Sequence, residues 1–76
     1  MNLLEFAQVY VDLVEVEKSI PETEALAKEE INLLRTKYHN LLMDKMREEK
    51  IDFVDRFEAM HIAYELVQKN KADNFA

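Results

Sequence analysis

Apolar residues recur along this chain at the three-and-four spacing of a helical face, in three blocks separated by two breaks. In the first block, Leu3, Phe6, Ala7, Tyr10, Leu13 and Val14 share one face, and Glu5, Gln8, Asp12 and Glu15 form a narrow polar line. Val9, Val11 and Val16 widen the apolar surface beyond a single stripe, so this helix needs burial on more than one side. The β-branched run Val9–Val16 suits a strand as well, but strict alternation fails at Val9-Tyr10-Val11 and at Leu13-Val14, and helix is the better assignment. The block spans about residues 2–18.

The first break is Ser19-Ile20-Pro21-Glu22. Ser19 and Glu22 stand at capping-box spacing, and Pro21 suits a first helical turn, where its missing N–H costs nothing. A second helix is therefore expected over 21–49, with Glu22 and Glu24 near its positive end and Glu24 four residues before Lys28. Its stripe is Ala27, Ile31, Leu34, Tyr38, Leu41, Leu42 and Met46, while Leu26 and Leu33 lie off that stripe as a second contact edge. The second break lacks glycine and proline and falls near Lys50-Ile51-Asp52, with Asp52 as the expected cap. A third helix over 52–71 carries Phe53, Phe57, Met60, Tyr64 and Val67 on one face and Ile62 and Leu66 on a flank. Its alternative is an unbroken helix from Pro21 to Lys71. Residues 72–76 are expected to fray. The fold class is all-α: one helical domain over 1–76, a three-helix unit or a long hairpin with an extra N-terminal helix.

Size changes this picture. A chain of 76 residues has little core to offset the entropy of ordering it, and without cysteine it has no disulfide to help. Self-association into a helical bundle, most simply a two-fold homodimer, is expected. The first helix, being apolar nearly all round, supplies the expected intersubunit set: Leu3, Phe6, Tyr10 and Leu13.

Composition excludes several function classes. Absence of glycine and cysteine removes a P-loop, a dinucleotide fingerprint and a cysteine–zinc site. Ser19 is the only serine and Thr23 and Thr36 have no activating neighbours, so nucleophilic catalysis has no local basis. Sixteen acids against ten bases give a net charge of −6, which disfavours binding to nucleic acid or an anionic membrane. No segment reaches the roughly 18 apolar residues of a membrane span, and no basic leader precedes the first helix. A cytoplasmic location is expected.

Glu58-Ala59-Met60-His61 is an E-x-x-H motif, which on a helix sets a carboxylate and an imidazole on adjacent turns of one face. Di-iron carboxylate bundles use this unit twice. A two-fold dimer would duplicate it, and Glu29, Glu30 or Asp44 could add carboxylates. In that one motif the chain resembles short ferritin-like proteins that assemble a metal site across a dimer, which makes Glu58 and His61 the candidate metal ligands. The plainer reading is a solvated glutamate with a histidine at the edge of a packed face, and no cofactor is expected. Lys28, Arg35, Lys37, His39, Lys45, Arg47 and Lys50 gather in the middle helix but are interleaved with acids, as on a solvated face. The leading functional expectation is a small non-enzymatic module, an adaptor, inhibitor or regulator that binds another protein through apolar helical faces. The alternatives are a metal-binding oligomer and an acidic mimic of nucleic acid that blocks a basic groove.

Overall fold

A computed structural model describes residues 1–75, with side chains described through residue 73. It contains helices α1 (Leu3–Ser19), α2 (Ala25–Glu48) and α3 (Arg56–Phe75), and no strand among the described residues. The chain does break between α2 and α3, which excludes the unbroken second helix.

Asn2 starts α1. Its side chain accepts from the Glu5 N–H at 2.8 Å, and the Glu5 carboxylate accepts from the Asn2 N–H at 3.0 Å, a complete capping box. Pro21 ends α1 from outside, because a residue before proline is held out of the helical region. Ile20 is accordingly extended, at φ −80° and ψ 125°. Ser19 thus remains the last helical residue, and its hydroxyl donates to the Val16 carbonyl at 2.7 Å. The box expected between Ser19 and Glu22 does not form, since a helical residue cannot serve as the extended N-cap of the next helix. A turn closes instead, from the Glu24 N–H to the Pro21 carbonyl at 3.0 Å. Helix α2 begins four residues later than expected, and Lys28 pairs with Glu22 at 3.0 Å rather than with Glu24.

Helix α2 ends in a Schellman motif. The Ile51 N–H donates to the Met46 carbonyl at 2.8 Å and the Lys50 N–H to the Arg47 carbonyl at 3.1 Å. Lys50 takes the left-handed conformation this motif needs, φ 60°, in a chain without glycine. The linker then runs to Asp55, whose carboxylate accepts from the Glu58 N–H at 2.9 Å and whose carbonyl accepts from Ala59 at 3.2 Å. Asp55, not Asp52, therefore caps α3. The later start leaves Ile51 and Phe53 outside both helices, where they turn in against the core. At its far end α3 continues through Phe75, so Ala72–Phe75 are helical rather than frayed; residue 76 lies outside the described part.

Helix α1 is the central element and packs on both others, while α2 and α3 meet less extensively. The core consists of Leu3, Ala7, Tyr10 and Val11 from α1, Leu42 and Met46 from α2, and Ala59, Ala63 and Val67 from α3. The α3 seam follows the small residues Ala59 and Ala63, which let the helices approach closely. The expected seam placed Phe57 on that face, but Phe57 points outward and is 70% exposed. The radius of gyration is 13.3 Å, against about 11 Å for a compact domain of this length. Helix α2, at 24 residues, is about 36 Å long and leaves Leu26, Leu33 and Leu34 exposed.

Candidate interaction surface

The corner between α2 and α3 carries two strongly exposed apolar side chains. Ile51 and Phe53 point inward, and the chain's alternation sends Val54 outward at 87% exposure. Phe57 follows three residues later, as the second residue of α3. Arg47, Lys50, Ile51, Asp52, Phe53 and Val54 border an open hollow of about 560 Å³. The Arg47 guanidinium lies 5.1 Å from the Phe53 ring centroid and also contacts Asp44 at 3.0 Å. The corner is thus an apolar knob, Val54 and Phe57, beside a hollow rimmed by both signs of charge.

A second apolar patch lies along the outer side of α2. Leu26 is 78% exposed, Leu33 68% and Leu34 44%. The sequence marks Leu26 and Leu33 as an edge outside the main stripe, but it places Leu34 on the packed face.

Glu58 and His61 are both exposed on the first two turns of α3. Glu58 has a structural partner: its carboxylate accepts from the Val54 N–H at 3.3 Å, so it returns toward the helix start as Asp55 caps from the other direction. Among the described residues, no group of three or more His, Cys, Asp or Glu side chains is placed to hold a metal ion. Any metal site on this pair needs ligands from another molecule.

The expected intersubunit set divides. Leu3 and Tyr10 are buried in the chain's own core. Phe6 and Leu13 are half-buried, and the Phe6 ring lies 6.4 Å from that of Tyr38 on α2. Helices α2 and α3 both pack on α1, but Val16 at its far end stays exposed.

The basic side chains of α2 are mostly paired. Arg35 Nε lies 2.6 Å from a Glu17 oxygen across the α1–α2 interface, although its N–H is not aligned for a hydrogen bond. Lys28 meets Glu22, Lys45 meets Glu48 at 3.4 Å, and Arg47 meets Asp44. A groove of about 260 Å³ beside Tyr10, Val14 and Met60 is rimmed by Lys18, Lys28 and Arg35. Each of these cations has a carboxylate within 4 Å, which cancels most of the field an anionic ligand would meet.

His39 is a core residue that sequence reasoning missed. It is buried, its Nε2 lies 3.0 Å from the Arg56 carbonyl, and its ring centroid is 4.9 Å from that of Tyr10. Its spacing from Leu42 and Met46, three and seven residues on, was the available signal. Among the described residues, no helix is long and apolar enough to cross a membrane. No protein-family model, curated protein or solved structure matches the chain.

Proposed function

We propose that the protein is a small non-enzymatic interaction module, an adaptor, inhibitor or regulator that binds another protein through its α2–α3 corner. The observation that carries this reading is the outward placement of Val54 and Phe57, at 87% and 70% exposure. Burying one such side chain contributes roughly 1.5–3 kcal/mol, which rewards a partner that covers both. Arg47, Lys50 and Asp52 border the hollow beside Val54 with charges that can orient the partner. The net charge of −6 favours a protein partner over nucleic acid. The cytoplasm is the compartment assumed, for a chain with no cysteine to oxidise.

The test is affinity purification of partners from the source organism with wild type, Phe57→Ser and Val54→Ser. A specific partner is expected that both substitutions release, while circular dichroism and thermal melting of the variants stay near wild type. A partner retained equally by all three proteins contradicts the assignment of this corner.

A further inference from the structure

The outer stripe of α2 is self-complementary. Leu26, Ala27, Glu30, Leu33, Leu34, Lys37, Asn40 and Leu41 recur at helical spacing on one side of the helix, away from the face that supplies His39, Leu42 and Met46 to the core. Glu30 and Lys37 are exposed, and neither has an ion-pair partner among the described residues. Their own helix offers them none. The residues three and four positions from Glu30 are Leu26, Ala27, Leu33 and Leu34; those around Lys37 are Leu33, Leu34, Asn40 and Leu41. Two opposite charges therefore stand two turns apart within an apolar strip, each without a counter-ion.

We infer that this stripe is the contact surface for a second copy of the chain, in an antiparallel α2–α2 pair whose two-fold axis passes between Leu33 and Leu34. In a two-fold contact, residue i of one copy meets residue j of the other and the reverse holds. With the axis at that position, Leu33 meets Leu34, Leu26 meets Leu41 and Glu30 meets Lys37 of the opposite copy, each twice. Every large apolar residue of the strip meets another, and each lone charge gains its counter-ion. A parallel pairing in the same register sets Glu30 against Glu30 and Lys37 against Lys37, so charge complementarity selects the antiparallel form. The overlap from Leu26 to Leu41 is about 22 Å long. This surface is separate from the α2–α3 corner and leaves Val54 and Phe57 uncovered.

Sedimentation equilibrium on wild type, Glu30→Lys, Lys37→Glu and the double variant Glu30→Lys/Lys37→Glu tests the inference. Wild type is expected to sediment at twice the 9.0 kDa chain mass. Each single reversal sets like charges together and is expected to weaken association by at least about tenfold, and the double variant to recover it. Both substituted positions, 30 and 37, are exposed, and circular dichroism and melting verify the fold of each variant. Orientation is read by oxidative cross-linking, which has no cysteine background. A mixture of Leu26→Cys and Leu41→Cys chains is expected to cross-link, and Leu26→Cys alone is not. A wild-type monomer at about 100 micromolar, a double variant no better than the singles, or cross-linking of Leu26→Cys to itself each overturns the inference.

Discussion

His39 Nε2 lies 3.0 Å from the carbonyl oxygen of Arg56, across 17 residues of chain, and ties the middle of α2 to the first residue of α3. A carbonyl oxygen only accepts, so Nε2 carries the proton and a neutral imidazole satisfies the contact. Because the same ring packs against Tyr10 of α1, one side chain joins all three helices. Burial holds its pKa below 6.5; the positive charges of Arg56 and Arg35 act in the same direction, and the hydrogen bond to Arg56 opposes them.

The sign of the linkage follows. Below 6.5 the unfolded chain takes up a proton at His39 that the folded chain resists, so the unfolded state binds more protons. The stability associated with neutral His39 is complete above about pH 6.5 and is lost as pH falls from there through the lower folded-state value. Urea unfolding midpoints are expected to drop between about pH 7 and pH 5.5, and His39→Gln should flatten that part of the profile. An unchanged slope in the variant contradicts the role given to His39.

Lys50 occupies the left-handed position that closes α2. A side chain there costs about 1 kcal/mol that glycine avoids, less the extra freedom glycine has in the unfolded chain. Lys50→Gly is expected to stabilise the protein by up to about 0.5 kcal/mol, and Lys50→Val to destabilise it. Thermal melting of the three proteins shows the order.

Asp55 supplies the cap of α3. Asp55→Ala is expected to cost about 1 kcal/mol, and Asp55→Asn, which keeps an acceptor oxygen, considerably less. Asp52→Ala should change stability by less than about 0.5 kcal/mol, and equal losses at 52 and 55 would contradict the observed start of the helix.

Leu42 and Met46 are completely buried, in the region where α2 faces α1. Leu42→Ala and Met46→Ala are each expected to cost about 2–5 kcal/mol, while Leu26→Ala should cost less than about 0.5 kcal/mol in the monomer. Chemical denaturation of dilute protein separates the two classes.

Much of this architecture was legible in the sequence. Helical periodicity located all three helices, and the end of α1 lay within one residue of its expected place because proline acts on its neighbour locally. The capping motifs were misread because side-chain chemistry alone does not make a cap: Ser19 stays helical before the extended Ile20 that Pro21 imposes, and α3 starts only after Ile51 and Phe53 have turned in against the core. The α3 seam was misread for a related reason. Large apolar residues dominate a periodicity count, yet close helix packing favoured Ala59 and Ala63 and left Phe57 outside. The surface was the least legible part: Leu26 and Leu33 stood out by their offset, whereas the exposure of Val54 and Phe57 depends on a linker conformation that no local pattern encodes.

The central claim, that the α2–α3 corner receives a partner protein, is tested most directly by site-specific photo-cross-linking in the source organism. A photoactivatable residue is placed at Phe57, and in separate proteins at Asp12 and Glu65, which are exposed on α1 and two turns further along α3. The expected result is one specific heterologous adduct from position 57 that is absent from positions 12 and 65 and disappears when Val54→Ser is added. The same adducts from all three positions, or none from position 57, contradict the claim.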